Sequence, residues 1–418
     1  MKPLLGCLAL GILFFSCVED ETPDNPVQLD GKLNITVAPG YPSGAIVYWV
    51  VVHDLEGNPV GHGQMEPGET MTLELDDSKR YHLTTYRRGE YSGFQMDLLE
   101  TYSDLAVAED MTLGLSPSLI PDPAFSGTFQ VDVLESEQPY AAYLTSSVGG
   151  QNFSANQFEN RLEMTMNRFE GIDDYLLVVR KQTGETRYKM LKVTGPDTKL
   201  SYRFSDLSAF DKVFKFKKSD FSQFYFTSVA VRQVNGVFKS GYIVNSNRIG
   251  NGFDPLLDHE LGFLNGIEYY DITISGKRSL NSKTNFSYRR FGPVPASITL
   301  PVEHTVQAQS QTLSDFRFTK PAGITNWTSV WDQSGPVTGE PFKSLRWVVI
   351  GTDASLKLRL PDELIALNPK LQDLGKFKLE TIHTITHSHS YDEQMRGKFV
   401  EIPKTQAIES ATITQSFL

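Results

Sequence analysis

Apolar residues recur at every second position in many short runs, and no other feature of the chain limits its fold as strongly. Leu33, Ile35 and Val37 alternate with Asn34 and Thr36; Met71, Leu73 and Leu75 with Thr72 and Glu74; Phe129, Val131 and Val133 with Gln130 and Asp132. The same spacing joins Leu162, Met164 and Met166, then Leu200, Tyr202 and Phe204, then Leu356, Leu358 and Leu360. Residues two apart on a strand share a face, so each run buries one face and wets the other, which is the antiparallel habit. Turn residues separate the runs. Asn235-Gly236 lies between 226–234 and 237–244, and both residues tolerate the positive φ of a tight hairpin turn. Gly57-Asn58-Pro59 follows the run 46–53, and Thr183-Gly184 splits 175–180 from 188–193. Only two helices are expected: 205–213, with Ser205 as its cap, and 362–374, interrupted by Pro369. The pattern predicts an all-β chain of tandem antiparallel β-sandwiches.

The N-terminus has another character. After Met-Lys-Pro, residues 4–15 carry no charge, a stretch the length of a signal-peptide core and too short for a membrane span of about 20 residues. The run ends in Phe14-Phe15-Ser16-Cys17. A small residue before a Cys at this place resembles a bacterial lipobox, with Phe14 and Phe15 where that signal favours leucine and a small residue. The resemblance implies that Cys17 becomes the lipidated first residue. Both cysteines of the chain, Cys7 and Cys17, lie in this region, so no disulfide is expected in the body. Residues 18–30 hold five acidic residues, no basic ones, and Pro23 and Pro26, the composition of an extended tether. Glu19, Asp20 and Glu21 beside the Cys resemble the surface-export signal of Bacteroidetes-type lipoproteins. That likeness implies an outer-membrane protein, lipid-anchored and surface-exposed.

The Pro-rich stretch 116–123 and the Asn- and Gly-rich stretch 245–255 are the expected linkers. They divide the chain into a signal peptide (1–16), a lipidated Cys and tether (17–30), two sandwiches (31–117 and 124–250) and a β-rich C-terminal domain (256–418). The hairpin Asp54-Leu55-Glu56-Gly57-Asn58-Pro59 resembles the Asp-x-x-Gly-x-Pro turn of transthyretin-like and Ig-like modules. The layout as a whole resembles surface lipoproteins of Bacteroidetes and, more distantly, the fimbrial anchor subunits of that phylum. Neither likeness carries a catalytic residue across.

With 39 Lys and Arg against 50 Asp and Glu, the net charge of −11 argues against a nucleic-acid partner. His383, His387 and His389 fall on one face of a strand, where imidazoles could hold zinc or copper, though residues two apart stand parallel rather than converge. A strand with its buried end at Phe377 and Leu379 and a wet tip at 387–391 accounts for the same residues. Trp327 and Trp331, flanking a polar stretch, could stack on sugar faces or pack in the core; Trp347 and Trp49 are expected in the core. His259-Glu260 lacks the second histidine of a zinc-protease helix, since Phe263 stands there. Phosphate-loop and nucleophile-elbow motifs are absent from the sequence. The expectation is a non-enzymatic surface module without a cofactor, binding a glycan or protein partner in a glycan-binding, adhesin-like or fimbria-associated role. A metal-dependent or hydrolytic enzyme on the β scaffold is the alternative.

Overall fold

The computed structural model describes residues 31–418 apart from 92–93, 107–109, 116–122, 137–138, 149–152, 159, 182, 235–236, 247–257, 334–342, 401–406 and 418. Cys17, Glu19, Asp20 and Glu21 lie outside the described residues, as does nearly all of the expected 116–123 linker.

The described chain is built mainly of strands, as the alternation predicts. The first seven are β1 (Gly31–Val37), β2 (Ala45–His53), β3 (Pro59–Gln64), β4 (Thr70–Leu75), β5 (Arg80–Tyr91), β6 (Phe94–Ala106) and β7 (Met111–Leu113). Strands β4-β1-β7 form one sheet, and β3-β2-β5-β6 run side by side in another. Leu33, Ile35 and Val37 of the first pack against Tyr48, Val50 and Val52 of the second, so alternation on both strands fills one sandwich core. The opposite face of β2, β5 and β6 is buried too. Val51, Tyr86 and Leu99 belong to a different core, shared with the C-terminal segment.

The middle segment contributes β8 (Phe125–Leu134), β9 (Pro139–Ser146), β10 (Phe153–Phe158), β11 (Arg161–Phe169), β12 (Asp174–Lys181), β13 (Thr186–Lys192), β14 (Thr198–Arg203) and β15 (Ser208–Ala209). Sheets β10-β11-β8-β14 and β15-β13-β12-β9 close a second sandwich around Phe129, Val131, Leu162, Met164 and Leu177. Strand β12 is buried on both faces: Tyr175, Leu177 and Val179 face that core, while Leu176 and Val178 face the next one. Its unbroken apolar run is the signature of a covered strand.

The remaining strands are β16 (Lys212–Phe216), β17 (Gln223–Val234), β18 (Val237–Ser246), β19 (His259–Phe263), β20 (Tyr269–Lys277), β21 (Thr284–Gly292), β22 (Ala308–Ser310), β23 (Phe316–Phe318), β24 (Asn326–Asp332), β25 (Lys343–Gly351), β26 (Ser355–Leu356), β27 (Lys378–His387) and β28 (Ile408–Ser416). Eight of them run in the order β18-β17-β20-β21-β28-β27-β24-β25, and β25 then pairs in parallel with β6. The result is a twelve-stranded sheet reaching from β18 to β3. The cut expected at 245–255 therefore does not separate two sheets: β17 and β18, placed before it, pair into the C-terminal sheet through β20. Val234 pairs with Val237 in the antiparallel β17–β18 ladder, and the expected turn residues Asn235 and Gly236 lie outside the described residues.

Two further expectations change. The helix at 205–213 is instead a single 3-10 turn, Phe204–Asp206, followed by β15 and β16. Phe204 and Leu207 pack into the second sandwich, whereas Phe210, Val213 and Phe214 pack into the C-terminal core, and one short helix face cannot serve both. The segment after Pro361 does form a helix, α1 (Asp362–Leu367), which ends before Pro369 as expected. The expected wet tip at 387–391 instead opens α2 (Tyr391–Phe399). Ser390 Oγ accepts the Glu393 N–H while Glu393 Oε2 accepts the Ser390 N–H at 2.7 Å, a reciprocal cap, and Tyr391 and Phe399 are buried in the first sandwich core.

A shared sheet makes the N- and C-terminal segments unfold together. Leu99→Ala, at the β6–β25 seam, is expected to cost about 3 kcal/mol. Urea unfolding followed by tryptophan fluorescence and by far-UV circular dichroism should give one coincident transition at a lower midpoint. Two separated transitions would contradict the shared sheet.

Candidate functional site

A cleft of about 820 Å³ lies where three segments meet: the β2–β3 turn, the β5–β6 ladder near His82, and the residues around β23 and β26. The turn is the Asp54–Pro59 hairpin singled out in the sequence. Asp54 folds it back on itself, its carboxylate accepting the Asn58 N–H at 2.7 Å and the Asn58 amide at 3.0 Å. Gly57 has φ +83°, and a Cβ there would lie 2.1 Å from the Lys357 carbonyl oxygen. Glycine is required for both reasons. The Gly57 carbonyl in turn accepts the Arg359 N–H at 2.9 Å, which locks the turn to the C-terminal segment.

The floor is a β-bulge. Tyr81 pairs with Leu105 and Leu83 with Tyr102, so His82 alone faces both Ser103 and Asp104. Asp104 takes the left-handed conformation, φ +58°, at a cost of about 1 kcal/mol for a residue with a Cβ. Its surroundings hold it there. The Asp104 N–H donates to His82 Nδ1 at 3.0 Å, and its carboxylate accepts from Arg80 Nε at 2.7 Å and from the Thr352 hydroxyl at 2.9 Å. Arg80 also reaches Asp392 of α2 at 2.6 Å. Buried Leu356 and Leu358 form the wall, and the exposed rim carries both signs of charge: Glu56 and Asp353 against Arg317, Lys357 and Arg359.

Beneath the floor runs a chain of buried hydrogen bonds whose direction can be worked out. Trp347 Nε1 can only donate, and it does so to the Thr101 hydroxyl at 2.9 Å. At the other end the Gly57 carbonyl can only accept, so the neutral His53 ring carries its proton on Nδ1, 3.4 Å away, and its Nε2 accepts from the Thr84 hydroxyl at 3.0 Å. Thr84, its one proton spent on His53, accepts from the Thr101 hydroxyl at 2.9 Å. Burial pushes the His53 pKa down to about 4; the nearby His82 adds to this and the Gly57 hydrogen bond opposes it. Burial also lowers His82, against the pull of a Leu55 backbone hydrogen bond and the Asp104 charge. Both rings are therefore neutral at pH 7.

None of the residues expected to carry a site lines this cleft. His383, His387 and His389 do not converge. His383 lies four positions before His387 on β27, about 13 Å away at strand rise. Its ring is engaged by Thr414 at 2.8 Å and Thr381 at 3.2 Å. Only the His387 and His389 rings approach, at 5.4 Å between centroids. A bulge also breaks the expected alignment: Trp331 pairs with Leu379 and Val330 with Thr381, leaving Glu380 extra. The buried positions shift from Phe377 and Leu379 to Ile382 and Thr384, so His383 stands on the other face from Leu379. Among the described residues, no group of three or more His, Cys, Asp or Glu is placed to hold a metal ion.

Trp327 and Trp331 are not a sugar platform. Both are fully buried on β24, their indoles donating to the Asp353 carbonyl at 2.7 Å and the Ser329 hydroxyl at 2.8 Å. Trp347 is in the core as expected, while Trp49 is only half-buried and stacks on His62. His259-Glu260 begins strand β19 rather than a helix. The residues that sequence reasoning missed are His53, His82 and Asp104. Only the Asp54–Pro59 hairpin beside them gave a local signal. In comparison with known proteins, no family model and no curated protein matches the chain.

The neutral histidines set an acid limit. Above about pH 6.5 the rings are neutral whether the chain is folded or unfolded, and no linkage acts. As the pH falls from about 6.5 towards about 4, the unfolded chain takes up a proton at His53 that the folded chain refuses, so stability falls by about 2–3 kcal/mol. Urea midpoints of the native protein and of His53→Gln, compared at pH 7.5 and pH 4.5, should show a clearly shallower acid loss in the variant. Equal losses would overturn the assignment of a buried neutral His53.

Proposed function

We propose that the chain is a non-enzymatic surface lipoprotein, anchored through Cys17 in the outer membrane and displayed on its acidic tether, that captures an extended peptide segment of a protein partner. The observation that carries the capture reading is the lining of the 820 Å³ cleft: leucine walls, a polar floor and a rim with both signs of charge. Leu55, about half exposed, and the buried Leu356 and Leu358 offer apolar contact, and charges of both signs suit peptide side chains better than a single-sign ligand. The described lining holds no Phe, Tyr or Trp, the rings on which a sugar face stacks. Strand β26 adds to the case. It is the last strand of β22-β23-β26, so among the described residues one of its edges has no strand partner. An extended segment can add to such an edge, its backbone supplying affinity and its side chains specificity. This favours the adhesin-like or fimbria-associated role over glycan binding.

Two experiments test the reading. In cells fed an alkyne fatty acid, the native protein should take up label and stay with membranes, and Cys17→Ala should lose both. Equal labelling of the variant would remove the anchor. For the cleft, the purified native protein and the double variant Arg317→Glu, Lys357→Glu would be applied to a decapeptide array and to a glycan array. Salt-sensitive capture of peptides bearing both charges, at least tenfold weaker in the variant, is the expected outcome. Glycan capture that the variant leaves intact would sink the cleft assignment.

A further inference from the structure

A second cavity, about 280 Å³, opens between the two sheets of the first sandwich, beside the last turn of α2. At about 30 Å³ per water it has room for one small organic molecule. Three tyrosines line it. Tyr48 on β2 and Tyr102 on β6 are buried, and Tyr41, in the β1–β2 connection, is half-buried. Their rings are fixed in place. Tyr41 and Tyr48 meet edge to face at 5.8 Å, and Tyr102 meets Phe399 edge to face at 5.0 Å. Tyr41 is seated against the backbone at Gly114, where φ is +77° and a Cβ would lie 2.1 Å from the ring.

One carboxylate enters the same space. Glu100 lies two positions before Tyr102 on β6 and shares its face. Its charge acts on all three phenols, and burial and this charge together raise their pKa values, so they stay neutral at any ordinary pH. Neutral aromatic faces with one carboxylate attract an ammonium and repel an anion. The protein already places an ammonium there: Lys398 Nζ lies 4.6 Å from the Tyr102 centroid and 5.9 Å from that of Phe399. Lys398 is an exposed residue on the last turn of α2, yet burial of its ammonium against these rings pulls its pKa down while the Glu100 charge opposes the fall, so the resident cation sits there at a desolvation cost.

We propose that this tyrosine cavity is a binding site for a small organic ammonium ion, which takes the face of Tyr102 from Lys398 and pairs with Glu100. The site is distinct from the charged cleft and shares no lining residue with it.

Calorimetric titration of choline into the full chain tests the proposal, with 3,3-dimethylbutan-1-ol as the uncharged molecule of the same shape. Lys398→Ala should bind choline saturably and about tenfold tighter than the native protein, because the resident cation is gone. Adding Glu100→Gln to that variant should reverse the gain by about tenfold, and the alcohol should bind at least about tenfold more weakly than choline. Near-UV circular dichroism checks that the tyrosines keep their packing; should Glu100→Gln disturb it, Glu100→Asp takes its place. Absence of saturable choline binding to Lys398→Ala would overturn the proposal, as would alcohol binding as tight as that of choline.

Discussion

The parallel pairing of β6 with β25 is the contact on which the rest of the architecture depends. From Gln95 opposite Lys343 to Tyr102 opposite Ile350, it joins strands about 250 residues apart in the chain. Without it, β3-β2-β5-β6 would be one wall of a small sandwich and β18 to β25 a separate sheet. With it, both faces of β2, β5 and β6 are covered, one by β1, β4 and β7 and the other by the segment around β23, β26 and α1. A strand buried on both faces cannot slip by one residue without carrying its polar set into an apolar core. The register is therefore fixed from two sides at once.

Both candidate sites follow from this seam. The charged cleft needs the β2–β3 turn and the β5–β6 bulge from one end of the chain, and Asp353, Lys357 and Arg359 from the other. Gly57 is the contact point, its carbonyl accepting the Arg359 N–H and its missing Cβ leaving room for Lys357. The tyrosine cavity likewise needs β2 and β6 together with α2, which reaches the first sandwich because β27 and β28 belong to the same sheet. Arg80 ties the two regions, bonded to Asp104 in the cleft floor and to Asp392 at the start of α2.

What the sequence made legible was local. Alternation at 33–37, 129–133 and 162–166 named the buried residues of these strands correctly, because one face of each meets an apolar core. Three things were not legible, each for a stated reason. The β6–β25 pairing has no local signature, since loop closure over such a span leaves no mark on either strand. The bulge at Glu380 inserts one residue and reverses the faces beyond it, so strict period two put His383 with Leu379 when it stands opposite. Trp327 and Trp331 do share a face, as their spacing requires, but spacing cannot say whether that face meets water or another sheet, and here it meets Phe316 edge to face at 5.4 and 5.0 Å. The cleft residues His82 and Asp104 were hidden in the same way, because a bulge brings them together and periodicity is blind to bulges.

The buried chain from Trp347 to His53 shows how such a seam is specified rather than merely stabilised. Its link from Trp347 Nε1 to the Thr101 hydroxyl crosses from β25 to β6, and its later links run through Thr84 on β5 to His53 on β2. Each polar group would cost free energy if buried without a partner. A wrong register at any of the three strand pairings would leave at least one donor or acceptor unmatched, whereas leucine or valine at these places would pack almost as well in a shifted ladder. The same chain ends at the Gly57 carbonyl, so the hydrogen bonds that select the sheet register also hold the turn that walls the cleft. Neutral His53 is what makes this possible. A protonated ring could still donate to the Gly57 carbonyl but could not accept from Thr84, whose hydroxyl would then have to turn away and break the one ordered run of donors from Trp347.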